Sequence, residues 1–346
     1  MPTLQMVAML LCINQNKICM KKLIYTSLIG AVILCSCSKD SSIGNHSESI
    51  SILAILDEGV YTKTIVDQNP THVYPKGRIG ILWNSDDKIG VYSAKTKNAS
   101  FSSDMLAGTT TEAALFSGKL DGPALYAYFP YSDENSNSDY TEVKGEIPEV
   151  QVFDTLSRRI PADYKIGIQR KDANGTLIAG SFQFTSILSL FRIDIDATGT
   201  ALAEENLQSI TFTFPEGAIA RGQFTMDLSN QTTSIDSGDG ANILTMSWGN
   251  SPVLKTGRLY TGFITCAPMK CKDQNVIITI ETNGHTASIT TKLSTNFAPN
   301  TMYTFPLMLS KWAAKGDAVW TLSAKNQQPA NRIESSAEPW SDETLN

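Results

Sequence analysis

The chain has 346 residues, of which 42% are hydrophobic and 18% are charged. This length allows two domains of roughly 150 residues each, and the composition excludes a disordered protein. The net charge of −6 and the pI of about 5.2 argue against a nucleic-acid partner. The three histidines, His46, His72 and His285, are too few to favour a histidine-rich metal site or a serine-hydrolase triad. We therefore expect no enzyme activity, no metal and no cofactor.

Residues 20–37 have the order of a bacterial secretory signal. Two lysines precede an apolar run over residues 23–34, which is shorter than the roughly 18–20 residues of a membrane-spanning helix. The run ends in the letters LCSC, which resemble a lipobox. We predict that signal peptidase II cleaves between Ser36 and Cys37, that Cys37 is lipidated, and that the protein is anchored in the outer membrane at the cell surface. Ordinary secretion with a free Cys37 thiol is the alternative.

Residues 1–19 lie ahead of a complete signal, and we interpret them as a misassigned translation start. Removing residues 1–36 leaves 310 residues with a formal charge of −9, because the removed part contains three lysines and no acid. Residues 37–49 are expected to form a short polar tether. In the mature chain, Cys266 and Cys271 flank a four-residue turn. They can pair as a disulfide in an oxidising envelope, and two buried thiols are the alternative.

Beyond the tether, short strand patterns continue almost to the end of the chain. Residues 210–214 (ITFTF) alternate apolar and polar side chains, as a half-buried strand does. Residues 276–280 and 287–291 flank the dipeptide NG at 283–284, which predicts a two-residue hairpin with positive φ. A helix is expected only near residues 201–207. The irregular strand spacing favours an all-β fold built as sandwiches over a closed barrel.

A polar turn at residues 171–175 precedes a group of strand patterns that begins at Phe182. We place a domain boundary near this turn, so that residues 50–178 form an N-terminal β-sandwich and residues 179–346 form a C-terminal β-sandwich. Both lengths are ordinary for single domains.

Three patterns look like binding sites but have more common explanations. The acidic stretch 133–144 resembles a calcium loop, yet Lys144 stands where an EF-hand requires its bidentate glutamate, so a solvated loop is favoured. Asp194 and Asp196 share a strand face, which is more typical of a solvated surface than of a metal or catalytic site. The aromatic segment 126–131 (YAYFPY) can form a sugar-stacking platform, although alternating aromatics on a strand usually belong to a core.

Several blocks of sequence follow one another along the chain: residues 82–92 (LWNSDDKIGVY), 114–118 with 126–131, 147–151 (IPEVQ), 182–195 with 303–307 (YTFPL), and 337–340 (AEPW). In type and order they resemble the fimbrillin family of Bacteroidetes, the Mfa-like and FimA-like pilus subunits. The resemblance covers most of residues 50–345. It implies two transthyretin-like Greek-key β-sandwich domains in tandem, in a structural or accessory subunit of a cell-surface fimbria that contributes to adhesion.

The resemblance also implies how such a subunit assembles. In the family, a trypsin-like protease removes the first strand of the N-terminal domain, and a strand from a neighbouring subunit fills the groove that is left. Residues 51–61 alternate as that first strand requires, with Ile52, Ala54 and Leu56 on one face. Lys63 follows at the position of the family's basic cleavage residue, where many members carry arginine. Lys76 and Arg78 are the next basic candidates for this cleavage.

The C-terminal segment is the candidate donor strand, because spaced apolar residues continue there in a polar background. The residues expected to contribute to it are Val319, Leu322, Ile333 and Trp340. A final pair of edge strands that closes the second sandwich is the alternative. The expected partners are other fimbrial subunits, the outer membrane through the lipid, and a host or bacterial surface glycan or protein. A lipid-anchored glycan-binding sandwich that never polymerises is the second functional hypothesis.

Residues 154–156 (DTL) look like the O-glycosylation motif of Bacteroidetes envelope proteins, an aspartate followed by serine or threonine and an aliphatic residue. Thr155 is therefore a candidate glycosylation site, provided that it lies in an exposed segment. An unmodified threonine is the alternative.

Overall fold

The alternating patterns become β-strands in the computed structural model, which describes residues 48–56, 65–66, 81–236, 241–314 and 319–324. One 3-10 turn covers Asp133–Asn135, and one short helix, α1, covers Leu309–Ala314. The described strands are β1 (Glu48–Leu56), β2 (Ile65–Val66), β3 (Ile81–Asn84), β4 (Lys88–Tyr92), β5 (Ala99–Ser103), β6 (Thr110–Thr111), β7 (Ala113–Leu120), β8 (Tyr126–Phe129), β9 (Val143–Ile147), β10 (Val150–Phe153), β11 (Lys165–Lys171), β12 (Leu177–Ser186), β13 (Ser189–Asp196), β14 (Leu207–Thr213), β15 (Gly222–Asp227), β16 (Thr232–Ile235), β17 (Ile243–Trp248), β18 (Tyr260–Cys266), β19 (Asn275–Thr282), β20 (His285–Lys292), β21 (Thr301–Met308) and β22 (Val319–Ala324).

The all-β prediction is confirmed, and the strands form two large sheets and three small ones. Seven strands close into a ring in the order β1-β12-β11-β8-β4-β5-β7. Six strands form an open sheet in the order β10-β17-β14-β19-β20-β22. The small sheets are β18-β13-β21, β16-β15-β9 and β2-β3-β6. The ring differs from the open sandwich expected from strand spacing, because β1 pairs with both β7 and β12.

The sheet pairing crosses the predicted domain boundary. The polar turn at residues 171–175 joins β11 to β12 within the ring, where Asp172 N–H donates to the carbonyl of Thr176 at 2.8 Å. The boundary between residues 178 and 179 falls inside β12, while β9 and β10 pair with β15 and β17. Two clusters of buried side chains result, one inside the ring and a larger one around the remaining sheets. The division into two domains at this position stays a prediction.

The hairpin predicted at 283–284 is confirmed, but its expected backbone conformation is wrong. The strands β19 and β20 are joined by those two residues, and neither has a positive φ. A Cβ at Gly284 would lie 2.2 Å from Oε1 of Glu205, so a larger residue there would displace that carboxylate. That carboxylate also forms a hydrogen bond with Nδ1 of His285 at 2.7 Å, so the close approach places a side-chain hydrogen bond at the start of β20.

The helix expected near residues 201–207 is wrong, because these residues form a turn followed by the start of β14. Backbone groups that a helix would pair locally are used by distant residues instead. Glu204 N–H donates to the carbonyl of Leu254 at 2.8 Å, and Leu207 N–H donates to the carbonyl of Pro252 at 2.9 Å. Non-local hydrogen bonds therefore override a weak local pattern.

Gln151 connects the edge strand β10 to β18, which belongs to a different sheet. Its side chain is buried, its Nε2 donates to the carbonyl of Thr265 at 2.7 Å, and its Oε1 accepts from the Thr265 N–H at 2.9 Å. The amide thus occupies the position of a strand partner at Thr265. Since strand side chains alternate, Val150 and Val152 point to the opposite, exposed face.

Candidate strand-exchange groove

Strand β1 closes the ring by pairing along both of its edges. It runs antiparallel to β7, from Glu48 opposite Leu120 to Ile55 opposite Ala113. It runs parallel to β12, from Leu53 opposite Ser181 onward. Within the described ring, no other strand joins β7 to β12. Removing β1 would therefore convert the ring into an open sheet with two unpaired edges.

The side chains of β1 confirm the predicted alternation, but the strand begins at Glu48, so the predicted tether at residues 37–49 and the predicted strand start at residue 51 are wrong at this end. Ile52 and Ala54 are fully buried and Leu56 is nearly so, and all three belong to the core of the ring. Glu48, Ser49 and Ser51 are exposed. Burying one isoleucine or leucine contributes about 1.5–3 kcal/mol to the free energy of unfolding. We call the space that β1 fills between β7 and β12 the groove; a ring with this groove empty would be appreciably less stable.

Trp83 forms the inner wall of this groove. Its side chain is fully buried, and its Nε1–H donates to the carbonyl of Ala54 at 3.2 Å. Three phenylalanine rings surround it edge-on, with centroid distances of 5.1 Å for Phe116, 5.4 Å for Phe129 and 5.3 Å for Phe184. Because Phe116 and Phe184 lie on the two strands that flank β1, one aromatic cage links the wall of the groove to both of its edges.

Trp83 belongs to the block at residues 82–92 that resembles the fimbrillin family, but its sequence context predicts no role for it. The sequence feature that could have indicated a buried position is its place in a short strand directly before the polar turn at residues 84–87. In that turn, Asn84 N–H donates to Oδ2 of Asp87 at 2.7 Å. The Asp87 carboxylate is itself buried and lies 3.3 Å from the guanidinium of Arg159.

A buried charge pair beside the aromatic cage was also missed. The Lys165 side chain is fully buried, forms an ion pair with Asp163, and lies 5.0 Å over the ring of Phe129. Burial raises the pKa of the Asp163 carboxyl, and the positive charge of Lys165 opposes that rise. Burial likewise lowers the pKa of Lys165, against the attraction of Asp163. The pair sits at the start of β11, two residues apart, where sequence alone indicates a solvated strand end.

The predicted site residues Ser36, Cys37 and Lys63, and the further cleavage candidates Lys76 and Arg78, lie outside the described residues. Cleavage by signal peptidase II, lipidation and maturation cleavage at these positions stay predictions. The described part of β1 ends at Leu56, seven residues before Lys63. A cut at Lys63 would separate β1 from the rest of the chain.

The candidate donor segment is described only in part. Val319 and Leu322 lie in β22, which pairs with β20 from Val319 opposite Thr290 to Ala324 opposite His285. Among the described strands of its sheet, β22 has a neighbour on one side only. This placement fits both the donor strand and the ordinary edge strand. Ile333 and Trp340 lie outside the described residues.

Cys266 and Cys271 are buried free thiols in the structure. Burial raises the pKa of the Cys266 thiol well above its usual range, and the neighbouring Cys271 adds to the rise. Burial raises the pKa of Cys271 to about 11. Both thiols are therefore protonated near neutral pH, which slows thiolate chemistry. A disulfide between them stays a prediction for the oxidised protein.

The aromatic segment 126–131 contributes mainly to the core, as the more common explanation predicts. Tyr128 and Phe129 are buried, and the Tyr128 hydroxyl donates to Oδ1 of Asn98 at 2.8 Å. Tyr126 stacks on Tyr140, with ring centroids 4.2 Å apart. Tyr128 and Phe129 are therefore not available to stack on a sugar from solvent.

The prediction that Asp194 lies on a solvated strand face is wrong. Its carboxylate is largely buried, lies 3.0 Å from Nε of Arg192 and accepts from the Thr261 hydroxyl at 2.6 Å. The acids of the loop, Asp133, Glu134 and Asp139, are exposed, as the solvated loop predicts, while the buried side chain of Asn135 bonds the backbone of Lys144 at 2.8 Å and 3.0 Å. Within the described ranges, His, Cys, Asp and Glu side chains form no group of three suited to a metal ion.

Thr155 lies on an exposed turn after β10. Its hydroxyl accepts from Nδ2 of Asn250 at 3.1 Å, and the Asp154 carboxylate accepts from the Leu156 N–H at 2.9 Å. The Leu156 side chain is 85% exposed. The tripeptide is therefore accessible to an enzyme from solvent.

If Thr155 carries a glycan, Thr155→Ala will lower the intact mass of the mature protein by the glycan as well as by the side-chain difference. Intact-mass spectrometry of protein extracted from its own cells provides the measurement. Ser157→Ala is the matched control, because Ser157 is exposed on the same turn but outside the motif. A mass change in Thr155→Ala that equals the substitution alone would show an unmodified threonine.

Comparison with known proteins supplies the family. A family model described as fimbrillin-like matches residues 71–340. The similar solved structures include a candidate cell-adhesion protein from Bacteroides ovatus, with 15% identity, 85% of this chain and 100% of that chain covered, and a TM-score of 0.47. A fimbrial protein from Bacteroides ovatus has 15% identity, with 74% of this chain and 48% of that chain covered and a TM-score of 0.34.

A fimbrial assembly protein from Parabacteroides distasonis has 10% identity, with 82% of this chain and 99% of that chain covered and a TM-score of 0.31. The search of curated proteins found no match. In the part of the chain that the structure describes, no helix has the length and apolar character to cross a membrane. Since the fimbrillin-like model spans more than half of the sequence, this chain belongs to the fimbrillin-like family.

Proposed function

We propose that this protein is a subunit of a cell-surface fimbria and that it assembles by strand exchange at the groove of β1. The observation that carries the proposal is the position of β1, the first described strand, which alone joins β7 to β12 in the described ring. Membership of the fimbrillin-like family supports the coarser statement, a fimbrial subunit at the cell surface.

The first step is the loss of β1. Cleavage at Lys63 leaves β1 attached by hydrogen bonds and by three buried side chains, Ile52, Ala54 and Leu56. Its release exposes the backbone edges of β7 and β12 together with the aromatic cage around Trp83. Unpaired strand edges and an empty apolar groove are both costly in water, so the subunit becomes competent to bind a new strand.

The second step is the entry of a strand from another subunit. That strand must pair with β7 and β12 and must place apolar side chains at the positions of Ile52, Ala54 and Leu56. The C-terminal segment that begins with β22 is the proposed donor, because β22 lies at a sheet edge and can leave without breaking a ladder on both sides. Leu322 in β22, with Ile333 and Trp340 further on, supplies apolar side chains.

The decisive test is the composition of assembled subunits. Polymers resolved as ladders on a mildly heated detergent gel should contain subunits that lack residues 48–56, as read by mass spectrometry of the excised bands. Lys63→Ala should abolish the ladder, and Lys39→Ala, a basic residue of the tether, is the matched control. Trp340→Asp should shorten the ladder, because it charges one proposed donor residue. Polymers that retain residues 48–56 would overturn strand exchange at this groove.

The lipid anchor gives a separate expected result. Cys37→Ala should lose all acyl label and accumulate as unprocessed precursor, because its thiol is the only acceptor that the proposal provides. Metabolic labelling with a fatty-acid analogue and gel fluorescence measure the outcome. Cys35→Ala is the matched control, since Cys35 lies within the leader and the variant should be labelled normally. Full labelling of Cys37→Ala would show that another residue is the lipid site.

A further inference from the structure

The outer face of the six-stranded sheet is rich in hydroxyl groups, and its charged side chains on the aligned strands β10, β17, β14, β19 and β20 are Glu281 and, in a further row at the end of β20, Lys292. The register of β10, β17, β14, β19 and β20 aligns its side chains in three rows across the sheet. We call this surface the hydroxyl face. Its rows are Val150, Thr245, Thr211, Thr279 and Ser288; Val152, Ser247, Ser209, Glu281 and Thr286; and Ile243, Thr213, Ile277 and Thr290.

Nine of these fourteen side chains are serine or threonine, four are apolar, and Glu281 is the single charge among them. All fourteen are partly or fully exposed. The intervening positions, such as Ile210, Leu244 and Ile278, are fully buried in the core. The strand pattern therefore separates an apolar inner face from a hydroxyl-rich outer face, where charged side chains are the usual choice.

We propose that the hydroxyl face is a contact surface between two copies of this chain, packed face to face. A contact between identical patches requires a surface that is complementary to itself. Hydroxyl groups meet this requirement because each both donates and accepts, whereas a lysine patch only donates and a carboxylate patch only accepts. The hydroxyls already pair with one another in this way, Thr211 with Thr245 at 2.9 Å and Thr279 with Ser288 at 3.1 Å.

The charge distribution also favours a second copy over a charged partner. The predicted mature chain has a formal charge of −9, so two copies repel each other over most orientations. A face with one carboxylate reduces that repulsion. The exposed Val150, Val152 and Ile277 add apolar area to the contact. A partner recognised through opposite charge would find few groups to pair with here.

The size of the face places the contact among small interfaces. Five strands by three rows cover about 24 Å by about 20 Å, or roughly 500 Å² for each copy. A stable complex buries about 800 Å² for each partner, so a single pair should be weak. Repeated along two neighbouring filaments, such weak contacts would add up and hold the filaments together in a bundle. The bundling rests on the proposed function, whereas the pairing of two copies does not.

Cysteine cross-linking on intact cells tests the pairing. Facing sheets pack about 10 Å apart, so a bis-maleimide of about that length should join two copies of Thr211→Cys, near the centre of the face. Ser102→Cys, an exposed serine on β5, is the matched control. Cys266 and Cys271 are buried and should not react. We expect a dimer band several-fold stronger for Thr211→Cys than for Ser102→Cys, and equal bands would overturn the proposal.

A charge placed on the face provides the second measurement. Thr279→Glu in the Thr211→Cys background adds a second carboxylate next to Glu281 on each copy, so it sets like charges against each other and should reduce the dimer band to the level of Ser102→Cys. Ser234→Glu on β16, an exposed position outside the face, should leave the band unchanged. A dimer band that survives Thr279→Glu would overturn the proposal. If the detergent gel shows ladders but the cross-linked dimer does not form, the pairing of hydroxyl faces is contradicted and strand exchange is not. If the dimer forms but the ladders do not, strand exchange is contradicted and the pairing is not.

Discussion

Replacing Trp83 with alanine should lower the free energy of unfolding by about 3–5 kcal/mol. The side chain is fully buried among Phe116, Phe129 and Phe184, so its removal leaves a cavity in the core of the ring. It also removes the hydrogen bond from Nε1 to the carbonyl of Ala54 on β1. Urea denaturation of the purified protein measures the change.

The control for this variant is Trp83→Phe, which keeps an aromatic ring in the cage but cannot donate to Ala54. We expect the hydrogen bond to account for about 1 kcal/mol of the loss and the smaller ring for part of the rest. Because β1 contacts the same side chain, Trp83→Ala should also release β1 faster under limited trypsin digestion. An unfolding free energy within about 1 kcal/mol of wild type would show that the groove does not depend on Trp83.

Asp163→Ala should be similarly damaging, with an expected loss of about 3–5 kcal/mol, because it leaves the ammonium of Lys165 buried without its partner. The Lys165 side chain is fully buried beneath the ring of Phe129, so water cannot replace the lost carboxylate at low cost. The midpoint of urea denaturation again provides the measurement.

The double variant Asp163→Ala/Lys165→Met separates the charge effect from general damage. With both charges removed, the core contains an apolar side chain of similar length, and we expect the double variant to be more stable than Asp163→Ala alone. Lys95→Met is the surface control, since Lys95 and Asp121 form an exposed pair that should contribute about 0–1 kcal/mol. If the double variant is no more stable than Asp163→Ala, the buried ammonium is not the cause.

The local alternation of apolar and polar residues was sufficient to predict the strands and which face of each strand is buried. The alternation in β1 correctly places Ile52, Ala54 and Leu56 on the buried side, and that in β19 does the same for Val276, Ile278 and Ile280. A period of two residues is a property of the extended backbone itself, so it can be read without knowing which strands become neighbours. The same local reasoning failed at residues 201–207, where distant carbonyls take the backbone N–H groups.

Residue patterns alone predicted an all-β chain, an apolar face on β1 and a resemblance to fimbrillins. They could not predict the place of β1 in the ring, because its neighbours β7 and β12 are set by hydrogen bonds between residues far apart in the chain. Nor could they predict the burial of Trp83 and Lys165, since a tryptophan before a polar turn and a lysine two residues after an aspartate are compatible with exposed positions. Burial is a property of assembled neighbours, and closure of the ring encloses both side chains.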